Sequence, residues 1–183
     1  MIFTENALSP ELQFAKELVY DKCGFVLKNL KENHESVEYN ACSFALNQHK
    51  IEFRVSKITP TKTGQFVSIW KRNENGITEP FASSDDLACI VITSKSGENL
   101  GQFIFPKSVL VEKGIISNKG KDGKRGIRVY PPWDKATNKQ AEKTQVWQVN
   151  YFLLIKGDKS TDLNLARMLF NETLVDLEFQ IVQ

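Results

Sequence analysis

Residues 87–106 read LACIVITSKSGENLGQFIFP, and their reading decides the fold. Leu87–Thr93 is almost continuously apolar, the pattern of a central strand buried on both faces. Ser94–Gly97 has the composition of a turn, and Gly101–Phe105 is a second strand, so the two pair as a hairpin. A short helix is predicted next, over Lys107–Glu112.

Working back from the hairpin, the chain is strand-like from Val37 onward. A strand ends near Leu46, Ala45–His49 reads as a turn, and a second strand runs over Ile51–Ile58. In that strand Ile51, Phe53 and Val55 alternate with Glu52, Arg54 and Ser56, which predicts one solvent-facing side. Thr59-Pro60 ends it, because proline cannot donate to a ladder. Phe66–Trp70 is the next strand, and Asn73–Gly76 is a turn by composition. At the start of the chain Ser9 is a good N-cap, Pro10 suits the first helical position, and Leu12, Ala15, Leu18 and Val19 recur at helical spacing. Gly24 ends or bends this helix; Phe25–Leu30 reads equally as its continuation or as a new element.

Working forward, residues 114–126 carry Gly114, Gly120, Gly123 and Gly126 among lysines and read as a flexible basic loop. Gly126–Tyr130 is a short strand stopped by Pro131-Pro132, Asn138 to about Trp147 a helix, and Tyr151–Ile155 a strand. Thr161 or Asp162 caps a last helix through Phe170, with Leu163, Ala166, Arg167 and Phe170 as its periodic positions. Leu174–Val182 alternates and reads as an edge strand. An early helix, antiparallel strands and late helices make an α/β (α+β) fold, a single domain over 1–183 with a mixed central sheet flanked by helices.

The bulk numbers agree. A chain of 183 residues, 41% hydrophobic and 10% aromatic, is ordinary globular material for one domain. No run approaches the ~18–20 apolar residues of a membrane span, and the N-terminus lacks a secretory pattern, so a cytoplasmic location is expected. Cys23, Cys42 and Cys89 are widely separated and only His34 and His49 accompany them, so neither a zinc site nor a disulfide framework is expected. Both histidines sit in polar, turn-like contexts. GKDGKRG (120–126) lacks the first glycine and the Ser/Thr of a P-loop, and GxGxxG, GxSxG and HExxH are absent. Charge is uneven: residues 107–143 hold ten Lys or Arg against four Asp or Glu, a local excess of +6 in a chain of net +2. Such a segment is an anion-binding footprint.

Four strings stand out: FRVSKITPTKTGQFVSIWKR (53–72), GQFIFPKSVL (101–110), GKRGIRVYPPWD (123–134) and NKQAEKTQVWQVNYF (138–152). Through them the chain resembles the MepB family from about Glu35 to Ile155, leaving 157–183 as a C-terminal extension. The genes of that family were first noted beside a bacterial multidrug efflux pump. The element order is also similar to the restriction-endonuclease (PD-(D/E)XK) fold. Active members of that fold bind magnesium through an acid on one strand and an (E/D/Q)-x-K on the next. The resemblance places Lys71 at the lysine and Glu52 at a metal-ligating carboxylate. Position 69 is isoleucine, which cannot ligate a metal, so Glu17, Glu38 or Asp85 would have to replace it.

Three functional readings follow. The first is binding of DNA or RNA on a nuclease-like scaffold without catalysis. Lys57, Lys62, Lys71, Arg72, Lys124, Arg125 and Arg128 would meet phosphates, and Tyr130 or Trp133 would stack on bases. The second is an active magnesium-dependent nuclease using Glu52 and Lys71, the one reading that needs a cofactor. The third is a regulatory or interaction protein for a small anionic ligand. The sequence sets no oligomeric state.

Overall fold

The computed structural model describes residues 8–157 and 160–171. Helix α1 (Pro10–Ala15) opens the chain, capped by the Ser9 hydroxyl, which accepts from the Leu12 N–H at 3.3 Å. A π-helical turn (Lys16–Tyr20) leads into α2 (Asp21–Cys23), and Gly24 closes the run at φ +79°, a conformation that favours glycine. Phe25–Leu30, ambiguous in sequence, turns out to start a strand, β1 (Leu27–Glu32).

Strands β2 (Cys42–Leu46) and β3 (His49–Val55) follow as a hairpin. His49 therefore begins a strand and does not sit in the turn. The stretch expected as a single strand to Ile58 breaks after Val55, and β4 (Lys57–Thr59) leaves the main sheet. Likewise Phe66–Trp70 divides between β5 (Lys62–Ser68) and β6 (Trp70–Arg72), and β6 pairs with β7 (Thr78–Pro80). The predicted turn between them forms, with Asn73 Oδ1 accepting from the Asn75 and Ile77 amides at 3.0 Å each.

The deciding hairpin is β8 (Cys89–Ser96) and β9 (Asn99–Pro106). After it come α3 (Lys107–Glu112), β10 (Gly126–Val129), α4 (Lys139–Gln148) and β11 (Phe152–Leu154). Residues 163–171 are helical, and Asp162, not Thr161, caps them by accepting from the Leu165 amide at 2.9 Å. Leu174–Val182, expected as an edge strand, lies outside the described residues.

Among the described residues six strands form the central sheet in the order β1-β2-β3-β8-β9-β11, and of their pairings only β3 with β8 is parallel. A second sheet is ordered β10-β5-β4. Because side chains alternate along a strand, β8 feeds two cores. Cys89 and Val91 join a cluster with Leu12, Val19, Tyr20, Ile51, Phe53, Ala166 and Phe170. Ile90 and Ile92 join the other, with Val67, Ile69, Phe105, Leu110, Ile127 and Val129. The first face of the sheet is thus covered by the helical segments 10–23 and 163–171, which meet where Tyr20 and Phe25 each stand 5.5 Å from the ring of Phe170. The second is covered by the small sheet and α3, and on that side Glu52, Arg54 and Ser56 are buried, not wet. Alternation identified the two faces of β3 but not what would cover the polar one.

The segment 114–126 departs from the flexible loop expected of its glycines. Ile115 and Ile116 are buried, the Lys124 amide donates to Ile115 O at 2.8 Å, and the Gly123 amide donates to Ser117 Oγ at 2.8 Å. A Cβ at Gly123 would lie 2.6 Å from Ile115 O, so glycine is needed there for close backbone approach.

Candidate anion-binding groove and a charged cleft

Two concavities collect most of the residues singled out in the sequence. The first is a groove of about 810 Å³ between the β4–β5 turn, β10 and α4 along its length. Lys62, Lys113, Lys124 and Arg128 line it, together with Tyr130, Asn138, Thr144 and Trp147, and no Asp or Glu does. Three side-chain devices build its walls. Asn138 caps α4 by accepting from the Ala141 amide at 2.9 Å. Gln148 ties α4 to β10, donating to Arg128 O at 3.1 Å and accepting from the Tyr130 amide at 2.8 Å. Tyr130 lies flush against Gly64, where a Cβ would stand 2.6 Å from its ring, and Gly64 holds φ +79°.

The cations of the groove differ in what they are free to do. The Arg128 guanidinium is engaged: Nη1 donates to the carbonyls of Lys62, Thr63 and Gly64 at 3.4, 3.3 and 3.1 Å, and Nη2 to Thr59 Oγ1 at 3.0 Å. It shapes the β4–β5 turn that presents Lys62. Lys113 pairs with Glu112 at 2.8 Å and lies 5.6 Å from the Trp147 ring centre. Lys62 and Lys124 are exposed and make no ion pair among the described residues.

The second concavity is a cleft of about 670 Å³ over the β1–β2–β3 end of the sheet. Its floor follows from register. Lys31 stands opposite Ser43 and Ser43 opposite Glu52, which sets all three in one row, and Lys50 and Arg54 flank Glu52 on the same face of β3. Arg54 Nη1 lies 3.4 Å from Glu52 Oε2 and donates to Phe53 O at 2.8 Å, while Asn33 donates to Glu52 at 3.1 Å. Burial raises the Glu52 carboxyl above its ordinary value, against the opposing pull of Arg54, Lys50 and Asn33. Burial likewise lowers the Arg54 guanidinium, against the pull of Glu52. The rim holds Lys71, 2.6 Å from Asp85 and 3.3 Å from Glu79, and Arg72, 3.4 Å from Glu35. Partial burial alone would lower the Lys71 ammonium, but Asp85 and Glu79 more than offset it and hold it above its ordinary value.

The fold therefore brings Glu52, Lys71 and Asp85 to one cleft, although Lys71 sits on the two-stranded β6–β7 sheet and not on a strand beside Glu52. Glu17 and Glu38 lie elsewhere: Glu17 accepts from Gln13, and Glu38 is 3.9 Å from Lys57. Ile69 is buried in the second core. Among the described residues no three His, Cys, Asp or Glu side chains gather to hold a metal, and the Glu52 carboxylate already faces Arg54 and Asn33. These residues do not fit a magnesium centre.

Of the other anion-binding candidates, Lys62, Lys124, Arg128 and Tyr130 meet in the groove and Arg72 borders the cleft. Lys57 and Arg125 line neither; Lys57 lies over the Tyr39 ring and Arg125 donates to Thr78 O at 3.0 Å. Trp133 packs edge-on against Phe152 at 5.5 Å and its indole Nε1 is buried. The residue is half-buried and packs against the second core. Lys113, Trp147, Lys31, Lys50 and Arg54 were not singled out as site residues. Arg54 carried the one usable signal, a guanidinium set within an apolar–polar alternation.

The sequence profile of the MepB-like family matches residues 33–154. The chain belongs to that family. A solved structure, the crystal structure of MepB, is similar with a TM-score of 0.69 and 36% identity, over 72% of this chain and 89% of that one. No curated protein sequence matches. The MepB-like match spans the whole groove and most of the cleft. It excludes the two helical segments, residues 10–23 and 163–171, that together close the first face of the sheet. No helix among the described residues is long and apolar enough to cross a membrane.

Proposed function

We propose that this MepB-like protein binds nucleic acid along the groove between the β4–β5 turn, β10 and α4, without cleaving it. The observation that carries the reading is the groove's charge. It presents Lys62, Lys124, Lys113 and Arg128 with no carboxylate in its lining. A polyphosphate backbone is the ligand class that rewards several cations set along one trough, since each neutralised phosphate releases a counterion. Tyr130 and Trp147 add ring surface beside those cations, the combination that suits single strands. The amide-rich start of α4 at Asn138 contributes a weak positive field at the same place. The misfit of magnesium to the Glu52 cleft supports binding without catalysis.

The test is a fluorescence titration of single- and double-stranded DNA and RNA at several salt concentrations, on the wild type and on Lys62→Glu/Lys124→Glu. The wild type should lose affinity steeply with salt. The double variant should bind at least about tenfold more weakly, with a salt slope lower by about two. Affinity indifferent to salt, or unchanged in the double variant, would dispose of the groove as the binding surface. Magnesium-dependent cleavage by the wild type would establish the nuclease reading instead.

A further inference from the structure

We propose that the cleft over β1–β3 is a separate site for a small phosphorylated molecule, with Arg54 as the buried fork that receives its phosphate. Arg54 is 1% exposed, yet it lines the cleft floor and its Nε–H has no hydrogen-bond partner. A guanidinium has five N–H donors, and a buried one left unsatisfied is costly unless something arrives to accept from it. Its one counter-ion, Glu52, reaches it through a single contact at 3.4 Å, longer than an ordinary charge-assisted hydrogen bond. The same face of the sheet supplies two more cations, Lys31 and Lys50, which make no ion pair among the described residues. Three cations and one carboxylate thus share this face of β1 and β3, a local excess of positive charge, while Asp86 adds one exposed carboxylate to the lining.

The remainder of the lining fits a body attached to that phosphate. The cleft of about 670 Å³ is far larger than a lone oxyanion and lies in the range of small-ligand sites. Asn29 and Gln48 present exposed amides, and Trp70 is half-buried at the rim. Rim cations Lys71 and Arg72 are already matched by Asp85, Glu79 and Glu35, so they frame the opening while the unmatched charge lies on the floor. The site shares no lining residue with the groove proposed for nucleic acid, and its test is independent of that reading.

The test is a titration of the full chain with inorganic phosphate, followed by proton–nitrogen NMR of the arginine Nε–H groups. The Arg54 Nε–H signal should shift and saturate. Lys50→Ala should weaken binding about three- to fivefold, and Glu52→Gln, which removes the competing carboxylate, should tighten it about tenfold. Phosphate should also raise the melting temperature of Glu52→Gln more than that of wild type, which a purely structural salt bridge does not predict. Lys62→Glu/Lys124→Glu should leave phosphate affinity unchanged. An Arg54 signal that does not move, equal affinity in wild type and Glu52→Gln, or loss of phosphate binding in the Lys62/Lys124 variant would each overturn the proposal.

Discussion

The groove and the cleft both border the second apolar core, yet they manage charge in opposite ways. In the groove Lys62 and Lys124 stand in water with no ion pair among the described residues, and they contribute little to the fold. In the cleft Lys71 and Arg72 are paired at the rim, Lys31 and Lys50 are exposed, and the Glu52–Arg54 pair at the floor is inside the protein. Exposed, unmatched charge costs the native state little and is available to a partner. Buried, paired charge is bound into stability, because neither member can lose the other without being stranded in a poor dielectric. The groove is therefore expected to show its charge in binding isotherms alone, and the floor of the cleft in unfolding curves as well.

The sharpest way to break this contrast is to strand Glu52. Arg54→Met should cost about 3–5 kcal/mol in urea unfolding, whereas Glu52→Leu/Arg54→Met should return to within about 2 kcal/mol of wild type. If the single and double variants were equally unstable, the ion pair would be incidental and packing the whole story. Next in size is Arg128, the groove cation that behaves like a cleft residue. Arg128→Ala should cost about 1–2 kcal/mol and accelerate amide exchange over residues 61–64, since three carbonyls and Thr59 lose their donor. Lys124→Ala should stay within about 0.5 kcal/mol of wild type. Equal effects at the two positions would erase the distinction drawn between them.

The smallest expected effect sharpens the picture through pH. The Glu52 carboxyl is raised in the folded state. Its contribution to stability is therefore fully present below the unfolded value, about 4.3, and is lost as pH rises through the folded value. Stability of Glu52→Gln minus that of wild type should then climb with pH across that window and level off above it. A difference that fell with rising pH would mean that Arg54 dominates and lowers the carboxyl.

Much of the fold was legible because it is local. The Ser9 cap, the turn at Asn73, helix α3 and the β8–β9 hairpin each depend on neighbours in sequence. Legibility failed where a strand changed sheets. Nothing in Ile51–Ile58 announces that the chain leaves the central sheet after Val55, because β-propensity is indifferent to which strand supplies the ladder. The glycine-rich segment 114–126 is a loop as read, but its packing was not legible for a related reason: glycine permits open turns and close packing alike, and the partners of Gly123 and Lys124 are Ser117 and Ile115. Of the candidate site, composition located the basic stretch but could not separate free cations from engaged ones. Arg125 and Arg128 look like Lys124 in the sequence, and only their carbonyl partners set them apart.

By itself, then, the sequence determined the two-faced strand at 89–96, the caps and turns, the lack of a metal-ligand spacing and the excess of basic charge in 107–143. Each of these is a property of residue type at short range. Only the tertiary structure decided that Glu52 and Arg54 lie under cover, that Lys62 shares a groove with Lys124 and Trp147, and that the helical segments 10–23 and 163–171 close one side of the sheet. Burial and pairing arise from contacts between segments far apart in the chain, and a charge changes its role entirely with the dielectric and the partner that those contacts provide.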